Sequence, residues 1–264
     1  MIDKELLKAD LQAVREKSPL VHNIINYVGM NFAANALLAV GASPVMAHAV
    51  EEMKDMTAIA GALTINIGTL DAQWIEGMLA AGKAMNARGG VTVLDPVGAG
   101  ATPYRTDTAW KIILECHPTI IRGNGSEIMA LMNADIKSKG VDSSASSTDA
   151  LESAKWLAKN TGAVVVISGA TDYITDGERV EQLTNGVPMM TLVTAMGCTA
   201  TTMVGAFAAV NPDPFQAALH AMALMGVAGE IAARDVKGPG SLLTAFNDTL
   251  YNITPETLAA TVRQ

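Results

Sequence analysis

The sequence predicts an α/β fold: a mainly parallel central sheet with helices on both faces and an antiparallel edge. Three observations predict it. Short apolar runs alternate with longer segments of helical periodicity, the rhythm of βαβ units. Some runs, AVVVIS above all, are apolar almost throughout, as strands covered on both faces are. Late in the chain, Asp176-Gly177 stands between two strand-like segments and signals a hairpin.

In chain order, MIDKELLKADLQAVREK is charged and helical in pattern, unlike a secretory leader. Strands are expected at Leu20–Ile25, Ala62–Ile67, Val91–Asp95, Thr119–Arg122 and Ala163–Ser168. Each is followed by glycine or polar turn residues and then a helix-length segment, such as Asp71–Arg88 or Tyr104–Cys116. The SSASST stretch near residue 145 reads as a loop leading into a helix. Asp172–Thr175 and Arg179–Leu183 form the hairpin, and Met189–Val193 is expected to add a third edge strand. Helices follow at about Cys198–Val210, Pro214–Arg234 and Gly240–Tyr251, with a short final one. No linker-like stretch divides the chain, so residues 1–264 are expected to form one domain.

Composition narrows the partners. The formal charge is -8, with 26 acidic against 18 basic residues and no Lys/Arg block, which argues against nucleic acid. Cys116 and Cys198 lie far apart with no C-x-x-C, so neither a zinc site nor a disulfide scaffold is indicated. The uncharged stretch Leu183–Pro212 contains Pro188, several glycines and many threonines. It therefore reads as strand, turn and buried helix, with no membrane partner, and the expected location is the cytoplasm.

Ligands of open α/β sheets sit beyond the carboxyl ends of the strands, so polar residues at strand ends are the candidates. In TAMGCTATTMVGAF, Gly197 opens a helix, which is either a capped helix packed tightly under the sheet or one whose Gly197, Cys198 and Thr199 amides form an anion site suited to a migrating phosphoryl group. In VTVLDPVGAGAT, Asp95 ends a buried strand and could hold magnesium, unless it merely caps a turn. In IIRGNGSEI, Arg122 could bind ATP phosphates. Asn124 and Glu127 form an N-x-x-E unit, either a capping box or part of the metal site with Asp95. No P-loop motif is present, and the Gly98-x-Gly100 pair lacks the third glycine of a dinucleotide fingerprint.

DPVGAGAT, GNGSEI and TAMGCTAT, with VHNIINYVGMNFAANALLAVGASPVMAH before them, resemble hydroxyethylthiazole kinases in order and over essentially the whole chain. The resemblance implies a ribokinase-like three-layer sandwich. It implies ATP- and Mg²⁺-dependent phosphorylation of the hydroxyl of 4-methyl-5-(2-hydroxyethyl)thiazole, by a homotrimer with sites between subunits. It assigns the thiazole pocket to Asn26, Met46 and the backbone at Ala195, and ATP contacts to Arg122 and Ser168. Asn124 and Glu127 match the N-x-x-E element with which ribokinase-like enzymes arrange magnesium, so that Glu127 joins Asp95 on the metal side, and Gly197 with Cys198 match the catalytic anion hole. Cys198 stands where the wider fold carries a catalytic Asp. A thiol at a helix N-terminus is expected to have a lowered pKa, yet phosphoryl transfer needs little base, so Cys198 is expected to contribute modestly. Pyrimidine or pyridoxal kinases and ATP-dependent NAD(P)HX dehydratases of the same fold are the alternative, and a non-catalytic sensor a more distant one.

Overall fold

The structure, a computed structural model, describes residues 2–138 and 149–264; the predicted loop near residue 145 lies outside them. One eight-stranded sheet runs β2-β1-β3-β4-β5-β6-β7-β8. Its parallel part comprises β1 (Leu20–Ile24), β2 (Ser43–Val45), β3 (Ala62–Asn66), β4 (Val91–Asp95), β5 (Ile120–Asn124) and β6 (Val164–Ser168). The antiparallel edge is β7 (Asp172–Thr175) and β8 (Val180–Leu183), joined through Gly177 at φ 96°.

Alternation along the strands separates two apolar layers. Val93, Ile120, Val164 and Val166 face α1 (Lys4–Lys17), α2 (Met30–Val40), α8 (Met196–Ala208), α9 (Pro214–Ala232), α10 (Pro239–Asn252) and α11 (Pro255–Thr261). Leu94, Ile121, Val165 and Ile167 face α3 (Met53–Ile59), α4 (Ala72–Ala87), α5 (Pro103–Cys116), α6 (Gly125–Ser138) and α7 (Asp149–Thr161). Parallel neighbours need such crossover helices, because a tight turn cannot return the chain to the same end of the sheet. The helices begin where the sequence supplies caps. Asp3, Asp71, Thr102, Asp213 and Thr254 each accept a bond from the first turn, and Pro103, Pro214 and Pro255 follow three of them.

Two elements differ from expectation. Met189–Val193 is no strand; Pro188–Leu192 forms a 3₁₀ turn, which drives Met190 onto α9. A Cβ at Gly229 would stand 2.2 Å from Met190 Sδ, so the thioether occupies the gap that the glycine leaves. In the other direction, β2 has only three residues and contains Pro44, a pattern too short to read from sequence and tolerated because it is an edge.

The small residues of α8 serve close packing. A Cβ at Gly205 would meet Thr64 Cγ2 at 2.6 Å, so α8 lies directly on β3 with its N-terminus at the ligand end of the sheet. Only α9 is long and apolar enough to cross a membrane, among the described residues, and 83% of its apolar window is buried inside the protein. It is the core helix of one layer.

Candidate active site

Five strand ends open onto one edge: Asn26 just past β1, Asn66 at the end of β3, Asp95 of β4, Asn124 of β5 and Ser168 of β6. α8 points its N-terminus there. Its entry residue Ala195 has a left-handed backbone, φ 63°. This conformation is costly for a residue with a Cβ and occurs preferentially at functional sites. The helix starts at Met196, two residues before the expected start at Cys198. Consequently the Thr199 amide is consumed inside the helix, donating to Ala195 O at 2.8 Å. Gly197 and Cys198 remain in the first turn, where amides have no intrahelical acceptor. The predicted three-amide site is therefore a two-amide site.

Arg122 lies against this turn. A Cβ at Gly197 would stand 3.0 Å from Arg122 Nη1, so the glycine is what allows the guanidinium to approach. Arg122 is 7% exposed, its Nη2 donates to Ser168 Oγ at 2.7 Å, and its Nε is buried with no acceptor among the described residues. Ser168 thus aims Arg122. A cation beside a helix N-terminus is unfavourable, since that end carries roughly half a positive charge. Negative charge close by offsets this repulsion.

Asp95 supplies part of it. Its Oδ2 accepts from Asn66 Nδ2 at 2.7 Å and Thr201 Oγ1 at 2.8 Å. Its Oδ1 receives no donor among the described residues. Burial pushes the Asp95 carboxyl up to about 6; Arg122 pulls it down, Glu127 adds to the rise, and the Thr201 and Asn66 donors oppose it. Asp172, at the start of β7, is also pushed up to about 6 by burial, against the Gly169 amide and Arg122.

Glu127 is a capping box. Its Oε2 accepts from the Asn124 amide at 2.8 Å, and its own amide donates to Asn124 Oδ1 at 3.0 Å. In addition Oε1 accepts from the Gly98 amide at 2.8 Å, which ties the loop after β4 to α6. The capping-box reading is the one these bonds show, and a carboxylate oxygen bound by one amide keeps further acceptor capacity.

Asn26 faces the turn from the other side. Its Nδ2 donates to Asn66 Oδ1 at 2.7 Å and to Cys198 Sγ at 3.2 Å, while its Oδ1 accepts from the Gly29 amide at 2.9 Å. A Cβ at Gly29 would stand 3.4 Å from the Cβ atoms of both Ala195 and Cys198, so this turn packs onto the start of α8. Burial, and next the Asp95 charge, raise the Cys198 pKa; the Asn26 and Asn66 carboxamides and Arg122 act against them. This corrects the expected lowering. Desolvation of the thiolate outweighs the helix end, and Cys198 is a neutral thiol at pH 7. Met46 lies outside this network, half-buried just past β2, the edge strand beyond β1.

Sequence reasoning missed Thr201, Asp172 and Arg105. Thr201 follows Cys198 by three residues, so it shares its helix face, a spacing that could have flagged it. Arg105 bonds Ile67 O at 3.0 Å, Val97 O at 2.8 Å and Gly68 O at 2.9 Å, clamping two strand-end loops; nothing local signals this. No group of three or more His, Cys, Asp or Glu side chains gathers as a metal site among the described residues. Magnesium needs no such cage; it commonly uses one or two carboxylates with water and substrate phosphates. Asp95, through its unclaimed Oδ1, and Glu127 fit that requirement.

Residues 11–256 match the model of the "Hydroxyethylthiazole kinase family". The chain is 53% identical over 249 residues to a hydroxyethylthiazole kinase of Leptospira biflexa, covering 94% of this chain and 93% of that protein. It is 51% identical over 263 residues to one of Vibrio parahaemolyticus, covering 100% and 98%. The solved structure of a hydroxyethylthiazole kinase protein from Pyrococcus horikoshii OT3 matches with a TM-score of 0.91 at 39% identity, over 98% of both chains. A pyridoxal kinase from Staphylococcus aureus, solved with AMP-PCP and pyridoxal, matches at TM-score 0.62 and 18% identity over 80% of this chain and 88% of that one, a likeness of fold.

Proposed function

This chain belongs to the hydroxyethylthiazole kinase family, and from that premise we propose that Arg122 and the first turn of α8 receive the phosphoryl group that it transfers. The enzyme is a phosphotransferase: it moves the terminal phosphoryl group of ATP to the hydroxyl of 4-methyl-5-(2-hydroxyethyl)thiazole, in thiamin salvage. The single observation that carries the site assignment is the approach of the Arg122 guanidinium to Gly197. Two positive features converge on one spot, and an anion between them relieves the repulsion.

In the reaction the substrate oxygen forms a bond to the γ-phosphorus. The bond to the bridging oxygen breaks, and its electron pair leaves on ADP. The Gly197 and Cys198 amides and Arg122 stabilise charge on the oxygens in flight, as donors already aimed at one spot. Cys198, held neutral by burial, is a poor proton acceptor. The hydroxyl proton is lost to solvent or to the transferred group. Asn26, Met46 and the Ala195 backbone hold the thiazole, and Ser168 aims Arg122 at the ATP phosphates.

Asp95 and Glu127 would hold Mg²⁺, directly or through water. The ion would neutralise charge across the β- and γ-phosphates. Residues 1–264 act as one kinase domain in a homotrimer, with the site between subunits. Tyr27 and Val28 support this, because each is 61% exposed on the rim beside Asn26, where a neighbouring subunit would cover them. The working location is the cytoplasm, and neither nucleic acid nor a membrane is a partner.

The test is ADP release with ATP, Mg²⁺ and one of three alcohols: the thiazole alcohol, hydroxymethylpyrimidine or pyridoxal. The thiazole alcohol should be turned over with the highest kcat/KM. Preference for either other alcohol would refute the assignment, and sedimentation velocity at assay concentration checks the trimer.

A further inference from the structure

A buried chain of side chains links the two halves of the site. It runs from Cys198 Sγ to Asn26 at 3.2 Å, Asn26 to Asn66 at 2.7 Å, Asn66 to Asp95 at 2.7 Å and Asp95 to Thr201 at 2.8 Å. Asn26, Asn66, Asp95 and Thr201 are each 5% exposed or less. The orientation of both carboxamides follows from the main chain. A backbone amide can only donate. The Gly29 amide reaches Asn26 at 2.9 Å, so that atom is the oxygen and Asn26 turns its NH₂ toward Asn66 and Cys198. The Gly68 amide reaches Asn66 at 3.0 Å, so that atom is also the oxygen and Asn66 turns its NH₂ toward Asp95. One Asn66 oxygen therefore accepts from Gly68 and Asn26, and its nitrogen holds the carboxylate.

We infer that Asn66, only 1% exposed, is a positioning residue for the transfer: it fixes the Asn26 carboxamide against Cys198 while holding Asp95 Oδ2, so that the acceptor side and the phosphate side keep one geometry. The inference rests on the kinase reading. Asn66 suits the task because it sits on β3, the strand between β1 and β4, and is the shortest side chain offering an acceptor and a donor in one rigid plane. An apolar residue there would leave the Gly68 amide without its side-chain acceptor, Asn26 Nδ2 with Cys198 Sγ alone and Asp95 Oδ2 with Thr201 alone. Groups that lose a partner in this way relax toward water, and small misplacements at a reacting centre are costly in rate.

The experiment compares the wild-type full chain with Asn66→Ala, Asn26→Ala and the double variant, each checked by thermal melting, measuring kcat and both KM values. Asn66→Ala should raise KM for the thiazole alcohol by about fivefold or more and lower kcat by about tenfold or more, with KM for ATP moving less than about twofold. If Asn66 acts through Asn26, the thiazole KM of the double variant equals that of Asn26→Ala alone. Additive effects on that KM, or unchanged kinetics in a folded Asn66→Ala, would overturn the inference. If Asn66→Ala does not fold, Gly68→Ala carries the test, because its Cβ would stand 2.7 Å from Asn26 Nδ2 and 2.9 Å from Asn26 Cβ. It should reproduce the rise in thiazole KM, and an unchanged KM there overturns the inference too. A wild-type enzyme inactive on the thiazole alcohol would instead strike the kinase reading.

Discussion

Replacing Asp95 by Asn should stabilise the metal-free fold while abolishing most activity. Asp95 is 1% exposed, and burial raises its carboxyl from an ordinary 3.8 to about 6. That rise corresponds to about 3 kcal/mol by which the fold favours the uncharged form. At pH 7 the wild type carries the charge and bears this cost. Asn keeps an oxygen for the Asn66 and Thr201 donors and removes the charge, so about 3 kcal/mol is the upper value of the gain. For a chain of this length that is a rise in Tm on the order of 5–10 °C. The sign of the pH dependence follows from linkage. Between about 4 and 6 the native state binds a proton that the unfolded chain does not, so wild-type stability from this group increases as pH falls through that window. The advantage of Asp95→Asn should therefore shrink from pH 7 to pH 4. The assay is thermal melting in chelator across that range, beside turnover at pH 7, where the loss should be about a hundredfold or more. A variant that melts below the wild type at pH 7, or an advantage independent of pH, would refute the reasoning.

Gly197→Ala should melt no lower than wild type, since Ala is the better helix residue, yet lose about tenfold in kcat/KM for ATP because its Cβ crowds Arg122 Nη1 at 3.0 Å. Steady-state kinetics beside a melting curve separates the two effects. Cys198→Ala should retain measurable turnover, whereas Arg122→Ala should weaken nucleotide use strongly; a Cys198→Ala enzyme as inactive as Arg122→Ala would make the thiol essential. Thr201→Val removes a 2.8 Å donor from a buried carboxylate and should cost about 1–3 kcal/mol in chemical denaturation at pH 7. Gly82→Ala places a Cβ 2.5 Å from Cys116 Sγ between α4 and α5, and should cost about 1–3 kcal/mol with turnover per folded molecule unchanged.

What could be read in the chain was what local physics specifies. Apolar runs of strand length placed β1, β3, β4, β5 and β6 within about two residues, and Asp176-Gly177 marked the hairpin. The same local signals nominated Asp95, Arg122, Glu127, Ser168 and Asn26 as strand-end groups, because a strand end is recognisable without its neighbours. The Met189–Val193 expectation failed because its apolar pattern is satisfied by packing Met190 over Gly229, a contact between segments 39 positions apart.

Tertiary structure decided which strand ends meet and what their meeting does to charge. Asn26, Asn66, Asp95 and Thr201 are separated along the chain by 40, 29 and 106 positions, and only the order β1-β3-β4 beneath α8 makes them neighbours. The raised carboxyl of Asp95 and the raised thiol of Cys198 have the same origin: desolvation is a property of everything packed around a group, and no local pattern encodes it. The sequence determines the inventory of chemical groups and the ends on which they stand. The fold decides their distances and their water, and with these the work that each can do.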